Sequence, residues 1–259
     1  MSRELAISLI TEAADLGVHS IKMNHRGEST LHPNFEEITF RAKLRAKGST
    51  FIDRLTNSNF NFRHDREDIF RGLCNQTKVK VSFDSFIKDI FEKQRQGSKY
   101  EATLANITKF YNYPGRENTL VIQAVRTNLN KDEDLEWEIK SRWPSAVASV
   151  RDCVEGRVGK DLSTVVTRSR DVSVRIPCKQ AFVRLIVHHD GKVAPCCPSI
   201  AGDLLIGDAN TQSLKDIFNS LAAKGLRKEL KSGKAFEKSP CKTCSSFESY
   251  GGFVAPWES

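Results

Sequence analysis

The sequence has seven cysteines in 259 residues, and five fall after residue 177: Cys178, Cys196, Cys197, Cys241 and Cys244. Thiolates are soft ligands that select zinc, copper(I) or iron–sulfur clusters. Cys241 and Cys244 have CxxC spacing, at which a short turn brings two sulfurs to one metal centre. The stretch AFVRLIVHHDGKVAP (181–195) reads as a hairpin turning at Asp190–Gly191. Cys178 opens one end of this hairpin and Cys196 closes the other, and an antiparallel pair brings its ends together. Cys178, Cys196, Cys241 and Cys244 therefore make a candidate four-thiolate site. Side chains alternate along an extended backbone, so Cys196 is preferred as the ligand, with Cys197 as its substitute. The competing reading is a set of buried thiols acting as small hydrophobes. Zinc and iron–sulfur are both open. A zinc ribbon usually has two CxxC knuckles, whereas here a whole hairpin separates the first pair.

Composition narrows the classes. Hydrophobic residues make up 39% and charged residues 28%, which is ordinary globular usage. Cys74 and Cys153 stand alone. The odd cysteine count and the absence of an export signal argue against a disulfide framework. The opening MSRELAISLITEAADLG reads as an amphipathic helix rather than a signal or transit peptide. No apolar run approaches the roughly 18–20 residues of a membrane span. The expectation is a cytoplasmic protein with no membrane partner. The formal net charge is +8, with clusters at RAKLRAKG (41–48) and KGLRKELKSGK (224–234). A nucleic-acid partner is compatible with this charge, but a solvated basic face is the preferred reading.

These side chains need a scaffold to position them. Helical periodicity covers 3–16, with Gly17 suited to the C-terminal cap, and recurs at 34–47, 65–73, 85–111 (broken near QGSK), 132–143 and 213–232. Strand patterns occur at 18–23, 50–57, 78–83, 119–125 and 146–152. Strands separated by helices imply an α/β fold with a parallel sheet. Such sheets bind ligands at the carboxyl ends of their strands, where RGEST, SFDS and RTNLN lie. The expected domains are a barrel part at 1–155, a linker at 156–177 and a cysteine-rich module at 178–259. Trp137 and Trp143 are expected in the core, Cys153 as a buried thiol, and His188 and His189 as solvated turn neighbours.

At these residues the chain resembles a radical S-adenosylmethionine (SAM) enzyme of the SPASM type. The resemblance rests on C-x12-G-x4-C (Cys178, Gly191, Cys196), the PCC that follows, an "LGN…SL"-like segment in LLIGDANTQSLKDIF (204–218), and the CxxC of Cys241 and Cys244. It implies an auxiliary [4Fe–4S] cluster in a shortened, single-cluster module. Upstream, it implies a partial (βα)6-type barrel lacking its first strand, joined to a small C-terminal Cys-rich hairpin and helix module. HRGESTLHP (25–33) resembles the Gly-Gly-Glu-Pro loop. Gly27 and Glu28 match it and imply contact with the SAM amino group, whereas Arg26 and Ser29 depart from it. VSFDS (81–85) implies Ser82 and Asp84 near SAM or substrate. EKQRQGSKYEATLANI (92–107) puts Arg95 in the family's arginine position. VRTNLN (125–130) implies polar residues, Asn128 among them, facing the ribose. Helix capping is the plainer role for Glu28 and for Asp84.

The family's CxxxCxxC, which holds the SAM-cleaving cluster, does not occur in the 259 residues. The expectation is a truncated form, from a late start codon, a split or truncated gene, or a degenerate copy. Three functions follow. The complete enzyme would generate a 5′-deoxyadenosyl radical and modify a peptide or protein, with flavodoxin or ferredoxin as electron donor. A four-cysteine zinc module would bind nucleic acid or protein. A non-catalytic partner would serve a radical SAM enzyme.

Overall fold

A computed structural model describes residues 1–25, 27–46, 53–152, 178–196, 204–237 and 240–244. The chain divides into two compact units: Gly17–Arg168, and Met1–Leu16 together with Ser169–Ser259. Among the described residues, no helix is long and apolar enough to cross a membrane.

The unit Gly17–Arg168 is α/β. Strands β1 (Ser20–Lys22), β2 (Asp53–Ser58), β3 (Lys78–Ser82), β4 (Thr119–Arg126) and β5 (Val147–Asp152) lie in chain order in one five-stranded sheet, and every neighbouring pair is parallel. Between them run α2 (Phe35–Arg45), α3 (Glu67–Cys74), α4 (Lys88–Gln94), α5 (Tyr100–Tyr111) and α6 (Leu135–Arg142). This is the parallel, helix-connected sheet expected from the sequence.

Alternation in β3 shows how the layers sit. Val79 and Val81 are fully buried, whereas Lys78 is exposed and Lys80 half-buried. The valines join Phe83, Leu120, Ile122 and helix residues such as Leu73, Ile107 and Trp143 in one apolar cluster. A parallel sheet covered on both faces reads apolar throughout. Here the helices' apolar side chains cover one face, and the other is mixed, with Lys78, Lys80, Ser82 and Gln123 beside Leu55, Val121 and Val125.

The helical run at 85–111 breaks near QGSK as expected, at Arg95–Lys99, where Gly97 adopts a left-handed φ of 84°. One expectation fails for a local reason. Trp137, expected in the core beside Trp143, is 63% exposed. Helix α6 buries Leu135 and Ile139, and Trp137, midway between them, points about 160° away from each. Trp143, just past the helix end, is the buried one at 1%.

In the other unit, α1 (Arg3–Asp15) starts at a Ser2 cap whose Oγ accepts from Leu5 N at 3.1 Å. Glu12 Oε1 of this helix accepts from Leu214 N at 2.6 Å, capping the start of α8 (Leu214–Phe218). The first helix therefore packs with residues about two hundred positions away (|i−j| = 202), which no local pattern could announce. Strands β6 (Ile186–Val187), β7 (Lys192–Ala194) and β8 (Gly207–Asp208) form a small antiparallel sheet in that order.

The hairpin turns at Asp190–Gly191 as expected, but its first strand is shorter. Residues 180–183 form a helical turn, α7 (Gln180–Val183). Ala181 and Phe182 pack there with Leu230 and Ala235, and this tertiary contact overrides the β-type pattern. The helix expected over 213–232 is two helices, α8 and α9 (Leu221–Lys231), because Ser220 Oγ caps a new start by accepting from Ala223 N at 3.2 Å.

Gly191 fixes the hairpin. Its φ is 88°, and a Cβ there would stand 2.1 Å from Asn210 Nδ2. That amide donates to Asp190 O at 2.8 Å. Gly191→Ala meets both a left-handed conformation and this clash. The expected cost is about 2 kcal/mol, read as an earlier thermal transition.

Asp208 closes the same sheet. Lys192 Nζ at 2.7 Å, Asn210 N at 2.9 Å and Asn210 Nδ2 at 2.7 Å all face its carboxylate. Foremost among these, the Lys192 ammonium holds its pKa down to about 2. A depressed carboxylate contributes stability above its ordinary value of about 4 and loses it as pH falls through the folded value. The Asp208 carboxyl resonance should therefore titrate by NMR near pH 2, and at higher pH in Lys192→Met, where the two Asn210 donors still hold it below its ordinary value.

Candidate functional site

The carboxyl ends of the strands in Gly17–Arg168 carry a connected polar belt. After β1, Gly27 takes a left-handed φ of 72° and is exposed. Next to it, Glu28 caps the short turn Ser29–Leu31: its Oε1 accepts from Thr30 Oγ1 at 2.6 Å and from Thr30 N at 3.4 Å. Glu28 Oε2 accepts from Asn59 N at 2.7 Å, just past β2. Asn59 Oδ1 in turn accepts from Arg95 Nη1 at 3.1 Å. Arg95 Nε lies 2.8 Å from Asp84 Oδ2, and Asp84 Oδ1 accepts from Val125 N at 2.8 Å on β4. One chain of contacts thus joins the ends of β1, β2, β3 and β4.

The belt assigns roles among the expected site residues. Asp84 is buried, at 5% exposure, and both its carboxylate oxygens are engaged inside the protein. It holds Arg95 and ties β3 to β4. Arg95 faces Asp84 through Nε as an ion pair and hydrogen-bonds Asn59 through Nη1, and Nη2 makes no hydrogen bond among the described residues. Ser82 ends β3 opposite Gln123 and is half-buried. Gly27, Glu28, Asp84 and Arg95 are brought to one end of the sheet. Asn128 is exposed in the loop after β4. Arg26 lies outside the described residues.

The sequence reading missed three members. Asn59 links Glu28 to Arg95. Asn130, 1% exposed, donates from Nδ2 to Asp84 O at 2.6 Å and to Val125 O at 2.9 Å, and accepts from Thr127 N at 2.7 Å. It, rather than Asn128, fastens RTNLN to the sheet. Glu133 accepts from Ser85 Oγ at 2.6 Å and Phe86 N at 2.7 Å, tying down the loop after β3. The only sequence signal for these residues is that Asn and Asp gather just beyond strand ends, where loops need side-chain acceptors.

The second candidate centre is in the cysteine-rich unit. Cys178, Cys196, Cys241 and Cys244 are half-buried, and none is in a disulfide. Cys178 and Cys241 pack against one apolar cluster, Ala181, Leu230 and Ala235. Residues Cys241–Thr243 form a tight turn, and Cys244 N donates to Cys241 O at 3.3 Å. That turn is the geometry by which CxxC presents two thiols together. Cys196 follows β7 by two residues. Cys153 and Cys197 lie outside the described residues. Among the described residues, no three His, Cys, Asp or Glu side chains form a group able to hold a metal ion. Three of the candidate thiols are linked, Cys178 to Cys241 by one apolar wall and Cys241 to Cys244 by one turn, and an all-thiolate set is of the chemistry that suits an iron–sulfur cluster.

His188 and His189 lie at the hairpin loop. His188 N donates to Lys192 O at 2.8 Å, and His189 is exposed.

Residues 178–245 match the model of SPASM, an iron–sulfur cluster-binding domain. Among solved structures, native anSMEcpe with bound AdoMet is similar at a TM-score of 0.65 and 16% identity, over 95% of this chain and 78% of that one. BtrN in complex with AdoMet and 2-DOIA is similar at a TM-score of 0.55 and 16% identity, over 95% and 80%. The same anSMEcpe with bound AdoMet and a Cp18Cys peptide is similar at a TM-score of 0.64 and 15% identity, over 95% and 79%. At these identities the likeness is one of fold. No curated protein sequence matches the chain. Both halves of the resemblance drawn from the sequence are met, the module by the domain match and the barrel part by the shared fold.

Proposed function

We propose, from a SPASM domain carried on the fold of AdoMet-binding proteins, that this chain serves radical SAM modification of a peptide or protein. Cys178, Cys196, Cys241 and Cys244 hold an auxiliary [4Fe–4S] cluster. The belt end of the Gly17–Arg168 sheet takes SAM. Gly27, an exposed left-handed glycine, lets backbone approach the cofactor. Ser82 and the Nη2 of Arg95 offer donors to its polar groups, and the exposed Asn128 of the loop after β4 faces the ribose. Glu28 and Asp84 set the positions of these groups through the belt.

A radical SAM centre supplies a 5′-deoxyadenosyl radical that abstracts hydrogen from a substrate. The residues described here bind, orient and shield, which is what the protein contributes around such a cofactor. No CxxxCxxC occurs in the 259 residues, so the proposal for them is one of holding and positioning. An electron donor of the flavodoxin or ferredoxin kind belongs to the same reading.

The carrying observation is the domain match, which begins at Cys178 and ends one residue past Cys244. The test is anaerobic reconstitution of the 259-residue chain with iron and sulfide, followed by assay of iron, sulfide and zinc. About four irons and four sulfides per chain, with a brown chromophore, support the reading. One zinc and no iron would overturn it.

A further inference from the structure

We propose that the polar face of the five-stranded sheet receives an acidic side chain of a peptide substrate, held by Lys80 with Arg151, Lys22 and Lys78 around it. The inference deepens the function proposed above and rests on it.

Register places these four cations together. Directly paired residues of a parallel sheet point the same way, and every second residue along a strand does too. Lys22 pairs with Leu55, and Leu55 pairs with Lys78. Lys80 lies two residues after Lys78 and pairs with Asn57 and Val121. Arg151 pairs with Val125, four residues on from Val121. All four cations share one face. The opposite face holds Val79, Val81, Leu120 and Ile122 in the helix-covered cluster.

The grouping is uncompensated at its centre. Lys80 is half-buried, and its side chain makes no hydrogen bond or ion pair among the described residues. Its pKa is lowered first by burial and then by Arg151, Lys22 and Lys78. No carboxylate acts on it to offset them. Asp53 is the one acid on this face among the described strand residues, and it sits opposite Ser20 at the amino end. Burial and like charges both disfavour an ammonium. A residue kept in place against both is the signature of a site built for a ligand rather than for stability. A carboxylate entering there relieves the repulsion and gains foremost from Lys80, with Arg151 beside it.

The geometry favours one acidic side chain over a polyanion. Lys22, Lys78 and Arg151 are exposed, but the focal Lys80 is half-buried among them, within reach of a single side chain, whereas phosphate backbones are met by rows of cations that are all exposed. The SAM carboxylate is the other source of the same chemistry, so the experiment separates the two.

Reductive methylation with 13C-formaldehyde keeps lysines charged and gives Lys80 an NMR signal, assigned by its loss in Lys80→Met. The full chain is titrated with acetyl-tetraglutamate, with acetyl-tetraglutamine and with SAM. The proposal expects tetraglutamate to shift the Lys80 signal saturably and tetraglutamine to leave it still. Arg151→Met should weaken the tetraglutamate titration roughly tenfold, and Lys80→Met should melt no earlier than the native chain. Three outcomes would each overturn it: a shift by SAM and not by tetraglutamate, equal shifts by both peptides, or no shift at all. Iron content of the same samples reports separately on the function proposed above.

Discussion

Asp84→Ala lowers the unfolding free energy of the chain by about 3–5 kcal/mol in urea titration, against a total of roughly 5–15 for a typical domain. The size follows from what the side chain holds. Its side chain is 8% exposed, and Oδ2 stands 2.8 Å from Arg95 Nε. Oδ1 accepts from Val125 N at 2.8 Å. Truncation leaves a guanidinium whose side chain is 21% exposed without its counter-charge, together with a strand-end N–H without its acceptor. Removing one partner of a buried pair is far costlier than replacing both. The double variant Asp84→Ala/Arg95→Met should therefore recover part of the loss, and the cycle gives the coupling directly. Asp84→Asn should cost less than Asp84→Ala, because its Oδ1 still accepts from Val125. A loss for Asp84→Ala below about 1 kcal/mol would mean that the pair behaves as a surface bridge and the belt does not hold the strand ends.

Strong periodicity was legible where the physics is local. Residues 78–83 read as a strand and form β3 at Lys78–Ser82, because alternating valines must face the helices. Residues 119–125 read as a buried strand and form β4 at Thr119–Arg126, where the consecutive Leu120, Val121 and Ile122 are all buried. What escaped was set by partners far along the chain. Residues 180–183 look extended, yet they form a turn because Ala181 packs with Leu230 and Ala235. Ser220 reads as one polar position in a long helix, and its hydroxyl in fact starts a second one. The two-residue strand β8 has too few residues to show an alternation.

The site shows the same division. Glu28, Asp84 and Arg95 were found from their motifs. Their roles as links in one belt depend on Asn59, and no spacing in the sequence marks Asn59 as the bridge. Asn128 and Asn130 are equivalent by residue type, two positions apart in one loop. Only the tertiary structure shows Asn130 buried against Asp84 O and Val125 O, with Asn128 exposed.

The cysteines were legible because their chemistry restricts them more than their packing does, and they carry the other large effect. Cys241→Ala/Cys244→Ala should bring bound iron from about four per chain to near zero after reconstitution. Two of four thiolates are removed, and they are the pair presented by the one tight turn Cys241–Thr243. Metal binding free energy is folding free energy where the site forms only in the folded state. Loss of iron should then lower the melting of the reconstituted chain toward that of the metal-free one, while the double variant melts alike with and without iron. Cys178→Ala should act in the same direction, because Cys178 shares the apolar wall of Ala181, Leu230 and Ala235 with Cys241. Cys74→Ala is the control: burial pushes that thiol's pKa up, and it packs against the apolar cluster of the other unit, so iron should be unchanged. The remaining choice is between Cys196 and Cys197. The preference drawn from the sequence is for Cys196, so on that reading Cys196→Ala should strip the iron and Cys197→Ala should keep it. The reverse pattern would move the fourth ligand to Cys197 and leave the other three in place.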